Sequence, residues 1–227
     1  KMIAKQYLVT GIIWAIIGGL FSVVFRIQLG YPGQSFPILE DLFGRWARDG
    51  VLLTDTYYAM VTMHGTIMVF FVLTAGLSGT FANYLIPLQI GARDMASPFV
   101  NMLSYWFFFL SSVVMLSSLF VQTGPASGGW TAYPPLSALG DALPGSKLGM
   151  DLWLISLALF VVSTLMGGLN YITTTLNLRT KGMHMTRLPL TVWALLFTAV
   201  VGLLSFPVLL SGFVLLLFDR HGGTSFY

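Results

Sequence analysis

The chain has 227 residues, of which 56% are hydrophobic and only 8% charged, whereas soluble domains carry roughly 25% charged residues. This composition excludes a soluble globular domain and predicts a membrane protein. The net charge of +3 does not form a basic stripe with interleaved aromatic residues, which excludes a nucleic-acid partner, and the absence of cysteine excludes disulfides and thiolate metal sites.

Five apolar segments are long enough to cross a bilayer core about 30 Å thick, which takes about 20 helical residues. We predict spanning helices at about 7–29, 57–88, 98–121, 150–177 and 189–218. The second exceeds the length of a perpendicular span, which suggests tilt or a continuation beyond the membrane. The predicted fold is all-α, a polytopic membrane helical bundle that occupies residues 1–227 as one unit.

The loops predict the orientation of the bundle. Basic residues in short loops favour the cytoplasmic side, and with a cytoplasmic N-terminus that side carries Lys1, Lys5, Arg93, Arg179, Lys181 and Arg187 against one acid, Asp94. The other side carries Arg26, Arg45, Arg48, Lys147 and Arg220 among most of the acids. We therefore expect a cytoplasmic N-terminus. Five helices leave the chain outside just after FDRHGGTSFY, which suggests that the sequence is cut there.

One histidine lies within the second predicted helix, in the stretch TMHGTIMVFFV. At 1.5 Å per residue, His64 is about 10 Å below the outer surface, where an unpaired polar group is costly. It could be hydrogen-bonded across a helix interface, relay protons, or act as an axial ligand of a metal or haem, for which neutral imidazole is well suited. His184 and His221 lie outside the predicted helices, so a second axial ligand would come from protein beyond this chain.

Three further residues belong to the same outer layer. Arg26 ends the first predicted helix and either snorkels to the surface or donates hydrogen bonds to a carbonyl or carboxylate of a cofactor. Tyr57 lies two turns above His64 on the same helix face and could be another donor. Trp130, in the loop GGWTAYPPL, is typical of an interfacial anchor, and the prolines around it suggest a stiff lid.

A second polar set lies toward the cytoplasmic side. Ser97 and Pro98 predict a helix start, with Pro at the first helical position, and Asp94 lies just before it. The neutral members of the set are Asn83, Asn101, Ser163, Thr164 and Asn170. They could hold helices together, or they could line a hydrated path whose protons Asp94 collects, since a fixed buried charge would trap an ion instead of passing it on.

Eight sequence blocks, in this order, carry a resemblance to a known family: FSVVFRIQLGYPG, TMHGTIMVFF, GTFANYLIPLQIGARDMASP, NMLSYW, GWTAYPPL, GGLNYITTTLN, LSFPVLLSG and FDRHGGTSFY. Over essentially its whole length the chain resembles the first five helices of subunit I of the haem-copper oxygen reductases, cytochrome c oxidase type. The resemblance implies that subunit I fold and a share in a proton-pumping terminal oxidase, which transfers electrons from cytochrome c to oxygen.

The resemblance also implies residue roles. His64 corresponds to one of two axial ligands of the low-spin haem, expected to be haem A, Arg26 to the arginine that contacts the haem formyl group, and Tyr57 falls near the same haem edge. Trp130 matches a tryptophan near the haem propionates. The entrance of the family's D proton channel is matched by Asp94, Asn83 and Asn101. The polar positions that line the continuation of this channel are matched by Asn170, Ser163 and Thr164.

The sequence departs from the family pattern at three positions. Phe99 stands where a basic residue is usual and Met102 where a second asparagine is usual, so we expect a different arrangement of the channel entrance. Gln28 replaces a glutamate, which argues against the family's outer-surface calcium or sodium site. The family's copper ligands and its other haem ligands lie on later helices, so this segment holds no catalytic residue, and the high-spin haem and copper are expected in the remainder.

The resemblance implies partners and a location. We expect the rest of subunit I, oxidase subunits II and III, cytochrome c or a cytochrome c domain, membrane lipids and a respiratory supercomplex, in the inner membrane of a bacterium. A quinol oxidase of the same superfamily is one alternative. A non-redox proton-coupled transporter is another, although transporters typically show two related halves with broken helices, and the sequence has no such repeat.

Overall fold

Five long apolar helices make up most of the protein, whose computed structural model describes residues 1–43 and 47–227. They are Met2–Gly30, Thr54–Ile90, Pro98–Ser118, Leu148–Asn177 and Leu190–His221, numbered spans 1 to 5. Each is long and apolar enough to cross a membrane, which confirms the all-α bundle of five spanning helices. Arg45, one of the basic residues used above to predict the orientation, lies outside the described residues.

The connections differ in length and structure. Between spans 1 and 2 lie a short helix, Pro37–Phe43, and two antiparallel strands, Ala47–Arg48 and Val51–Leu52, none of which the sequence predicts. A turn of 3-10 helix, Met185–Arg187, precedes span 5. Because these elements are only two to seven residues long, they carry too little hydrophobic periodicity to be recognised from sequence.

Span 2 is not a uniform α-helix. It is α-helical over Thr54–Thr66, π-helical over Ile67–Leu77 and α-helical again over Ser78–Ile90. Within the π-helix the Thr74 hydroxyl donates to the carbonyl of Val69, five residues earlier, at 2.7 Å. A π-helical turn inside an α-helix is rare and often marks a functional site, and this one begins three residues after His64.

Spans 1 and 2 approach closely because glycines face each other. A Cβ built on Gly11 of span 1 would lie 3.0 Å from the Cα of Gly76 in span 2. Seven residues further along span 1, a Cβ on Gly18 would lie 3.0 Å from Cγ2 of Ile67. The missing side chains let the two backbones pack directly against each other.

The loops on the side of the N-terminus are held by caps and hydrogen bonds. Ser97 caps span 3 by accepting from Val100 N at 3.3 Å, with Pro98 at the first helical position, which confirms the predicted helix start. Thr180 N donates to the carbonyl of Ile90 at 3.0 Å, so the connection after span 4 meets the end of span 2. We call this side, with loops 91–97 and 178–189, the N-side, and the opposite side the far side.

Spans 2 and 4 form the centre of the bundle, with half of their most apolar stretches buried, against 22% for span 1 and 11% for span 5. Large side chains from all five spans meet in one core, including Trp14, Phe71, Phe108, Phe160, Trp153 and Phe213. The outer faces of spans 1 and 5 remain apolar and exposed. Such faces suit contact with lipid or with further helices.

The long segment between spans 3 and 4 is fastened to the far side by an arginine at the end of span 5. The side chain of Arg220 is only 3% exposed, and its Nε donates to Asp151 Oδ1 at 2.6 Å. Its two Nη atoms donate to the carbonyls of Ser137, Ser146 and Lys147. This buried cation therefore fixes the far-side loop against the ends of spans 4 and 5.

Candidate functional site

His64 is oriented by a backbone carbonyl of span 1. Its Nδ1 lies 2.8 Å from the carbonyl oxygen of Gly18, a contact made possible by the close approach of spans 1 and 2. Because a carbonyl can only accept, Nδ1 carries a proton, and in the neutral ring the lone pair is then on Nε2. Among the described residues no group hydrogen-bonds Nε2. The ring is therefore fixed in the tautomer that a metal ligand needs.

Phe25 connects the other members of the cluster around His64. Its ring centroid lies 5.7 Å from the imidazole of His64 and 5.9 Å from the ring of Tyr57. The guanidinium carbon of Arg26 lies 6.0 Å from the same ring, while Arg26 Nε donates to Ser22 Oγ at 3.1 Å. The structure thus brings the exposed Arg26 and the half-buried Tyr57 within one ring of the half-buried His64.

Trp130 lies beside this cluster and not within it. A Cβ on Gly65, the residue after His64, would lie 3.0 Å from Trp130 Cδ1, so the indole rests on that glycine. Gly129 N also donates to Thr62 Oγ1 at 2.9 Å. The segment between spans 3 and 4 therefore contacts span 2 at Gly65, one residue after His64.

Gln28 is fully engaged in holding the first far-side loop. It is buried, its Oε1 accepts from Leu52 N at 3.1 Å, and its Nε2 donates to the carbonyls of Tyr31 and Gln34 at 3.2 and 3.5 Å. An amide with these partners brings no negative charge to a cation. Gln28 therefore holds the loop between spans 1 and 2 in place.

On the N-side, Asp94 is exposed, and its Oδ1 accepts from Met95 N at 2.8 Å. The residues that follow it are clamped to span 4. Asn170 accepts from Ser97 N at 2.9 Å and donates to the Ser97 carbonyl at 3.1 Å, and Thr174 Oγ1 accepts from Ala96 N at 2.8 Å. Asn170 and Thr174 therefore fix where the Asp94 loop sits on the bundle.

Two buried asparagines lie behind this loop with unfilled acceptors. Asn83 is 3% and Asn101 4% exposed, and neither Oδ1 has a hydrogen-bond partner among the residues that the structure describes. Asn83 Nδ2 donates to the Gly79 carbonyl at 2.7 Å and to the Tyr171 hydroxyl at 3.2 Å. Because a buried amide oxygen rarely goes unpaired, ordered water suits both positions.

Next to these residues, a partly open cavity of about 70 Å³ lies between spans 1, 2, 4 and 5. The hydroxyl-bearing residues on its wall are Tyr7, Thr74, Ser78, Ser163, Thr164, Tyr171 and Thr198. Tyr7 Oη lies 3.2 Å from Ser104 Oγ and 3.5 Å from Ser163 Oγ. One water needs only about 15 Å³, so the volume admits several waters beside these hydroxyls, and the rest of the wall is apolar. Ser163 and Thr164, predicted to line a path, both reach this wall.

Sequence reasoning missed Gly18, Tyr7, Tyr171 and Thr174. Tyr171 directly follows Asn170, so a polar ring next to a predicted path residue was a usable signal. Tyr7 stands near the start of the first apolar run, where an aromatic residue looks like an interfacial anchor. Gly18 acts through its carbonyl, and no side-chain pattern indicates such a role.

Comparisons with known proteins agree along the whole chain. The sequence model of the family described as cytochrome C and quinol oxidase polypeptide I matches residues 2–227. An alternative cytochrome c oxidase subunit 1 from Bradyrhizobium diazoefficiens is 46% identical over all of this chain and 36% of its own length. Cytochrome c oxidase subunit 1 of Synechocystis sp. is 40% identical over 37% of its length, and the heme-copper oxidase subunit I+III of Aeropyrum pernix is 39% identical over 26%. The chain thus spans about a third or less of these relatives.

Proposed function

The chain belongs to the cytochrome c and quinol oxidase polypeptide I family, and from this premise we propose that it contributes a haem ligand and a proton-uptake path to a proton-pumping terminal oxidase. That oxidase would pass electrons from cytochrome c to oxygen and reduce it to water. The family membership identifies the chain as part of the catalytic subunit of a haem-copper oxidase. It decides against a non-redox transporter.

The observation that carries the haem assignment is the 2.8 Å contact between His64 Nδ1 and the Gly18 carbonyl. The contact directs Nδ1 toward span 1 and leaves Nε2 without a hydrogen-bond partner among the described residues, so the residues present fit an axial ligand. A low-spin haem bound here, proposed to be haem A, would supply one-electron transfer toward the oxygen-reducing centre. Arg26 would place a positive charge near the ring edge, and Tyr57 and Trp130 would complete the surroundings.

The experiment for this assignment is the substitution His64→Ala in the assembled oxidase. Removing the imidazole removes one axial ligand, so we expect the low-spin haem absorption band to disappear. The control is His184→Ala, because His184 is exposed in the N-side connection and should leave the spectrum unchanged. A parent-like spectrum in His64→Ala would refute the assignment.

We propose that the N-side polar residues take up protons. The exposed Asp94 would collect them at the surface, and Asn83 and Asn101 would hold water through their open Oδ1 atoms. Asn170 would fix the loop that carries Asp94, and Ser163 and Thr164 would continue the path along the cavity. Neutral groups suit this task because they order water without trapping a charge.

The test of proton uptake is Asp94→Asn in the same enzyme. An amide cannot exchange protons as a carboxylate does, so we expect turnover to fall about tenfold and the ratio of protons pumped to electrons to fall with it. Asp41→Asn, at an exposed far-side position, is the control. Pumping at the parent level in Asp94→Asn would exclude Asp94 from the uptake path.

The remaining proposals concern partners and location. The haem-copper centre requires the rest of subunit I, and the subunit I+III relative supports a subunit III as a partner. We propose subunit II, cytochrome c as electron donor and a respiratory supercomplex as the further partners. The protein is an integral membrane protein, and we propose a bacterial inner membrane with the N-side in the cytoplasm.

A further inference from the structure

Tyr171 lies between the buried Asn83 and the cavity, and it contacts both. Its hydroxyl accepts a hydrogen bond from Asn83 Nδ2 at 3.2 Å, and the same residue forms part of the cavity wall with Ser163 and Thr164. Thr164 is seven residues earlier in the same helix, about 10 Å along its axis. Tyr171 therefore touches both halves of the proposed uptake path.

The hydrogen-bond pattern leaves the phenol proton available. Because the Asn83 amide is the donor in its contact with Tyr171, the phenol oxygen is the acceptor and keeps its own proton to give. No described residue accepts that proton. Gly167, which lies beside the phenol oxygen, also lines the cavity, so a water in the cavity would be the acceptor.

The packing around Tyr171 makes room for this hydroxyl. A Cβ built on Gly167, one turn earlier, would lie 3.3 Å from the Tyr171 oxygen, closer than an unstrained contact. The adjacent Gly168 has its nearest atom at 3.6 Å from the same construction, an ordinary contact distance. Gly167 thus leaves space beside the hydroxyl, where a side chain would press on it.

We propose that Tyr171 is a proton-relay residue that joins the asparagine entrance to the cavity that Ser163 and Thr164 border. This inference rests on the proposed proton-uptake path and names a member of it. In each transfer a hydronium ion on the Asn83 side gives a proton to the phenol oxygen and becomes water, while the original O–H bond breaks and its proton passes to a water in the cavity, which becomes the hydronium ion. The phenol ends neutral, and one proton with its positive charge has advanced from the Asn83 side to the cavity.

The test uses the complete oxidase with Tyr171→Phe, which keeps the ring and removes only the hydroxyl. We expect turnover to fall about tenfold, the solvent deuterium isotope effect on turnover to rise, and the haem spectrum to stay unchanged. The matched control is Tyr84→Phe, because Tyr84 lies next to Asn83 but is 46% exposed. Turnover and an isotope effect at the parent level in Tyr171→Phe would overturn the relay role.

A second variant decides the matter if Tyr171→Phe does not assemble. Gly167→Ala keeps the phenol but presses on its hydroxyl, so it should also lower turnover and raise the isotope effect, whereas Gly168→Ala should behave as the parent. Parent-like turnover in Gly167→Ala would then count against the relay.

Asp94→Asn, measured in parallel, separates the two proposals. If Asp94→Asn slows the enzyme and the Tyr171 variant does not, the relay fails while the uptake path stands. If neither variant slows it, the path itself fails.

Discussion

At the scale of single residues, the charge of Arg26 should influence the redox chemistry next to His64. Its guanidinium carbon lies 6.0 Å from the Phe25 ring, which itself contacts the imidazole. A positive charge near a haem stabilises the reduced state. Arg26→Met should therefore lower the haem midpoint potential, by on the order of 50 mV for an interaction of about 1 kcal/mol.

A redox titration monitored by the haem absorption measures this change. Arg48→Met is the control, because Arg48 is exposed in the strand Ala47–Arg48. A midpoint potential in Arg26→Met equal to that of the control would show that the guanidinium does not influence the haem.

The sequence predicts which residues around His64 carry the chemistry, but it does not predict which groups they contact. A histidine inside an apolar helix, as His64 is, was recognisable because burial makes an imidazole costly. Its Gly18 partner was not, since that partner is a backbone carbonyl brought near by helix packing. Asn83 and Asn170 were predicted as path residues, but their contacts with Tyr171 and Ser97 depend on which helices are neighbours, and one sequence does not encode that locally.

At the scale of elements, the contact between spans 1 and 2 depends on facing glycines. Gly11→Ala would set a methyl group 3.0 Å from the Gly76 backbone, which must move because it has no side chain to rotate away. Overpacking of this kind costs typically about 1–3 kcal/mol. We therefore expect Gly11→Ala to lower the thermal unfolding midpoint of the detergent-solubilised oxidase by several degrees.

The matched control for this prediction lies in the same helix. A Cβ on Gly19 meets nothing within 4 Å, so Gly19→Ala should leave the midpoint unchanged or raise it slightly, since alanine favours helix more than glycine does. Equal midpoints for the two variants would mean that spans 1 and 2 are not in contact at Gly11.

The five spanning helices could be predicted from the sequence, whereas the π-helical stretch within span 2 could not. Apolar length alone predicts the five spans, because a bilayer admits few other structures. The π-helix over Ile67–Leu77 escapes prediction, since its apolar residues suit either kind of helix. The start of span 3 was predictable because Ser97 and Pro98 act locally.

At the scale of the whole molecule, the proposed orientation can be tested because the chain contains no cysteine. Single cysteines at Lys181, on the N-side, and at Asp141, on the far side, are both exposed. In right-side-out membrane vesicles a membrane-impermeant maleimide should label Asp141→Cys and spare Lys181→Cys until the vesicles are opened. The reverse pattern would invert the topology and move Asp94 to the outside.

The account as a whole depends on His64 as a haem ligand, and chemical rescue tests this most directly. His64→Gly leaves a space where the imidazole ring was, so the assembled oxidase should lose its low-spin haem spectrum, and free imidazole added to the purified enzyme should restore it. His184→Gly should show neither effect. A low-spin spectrum that is intact in His64→Gly without added imidazole would contradict the account.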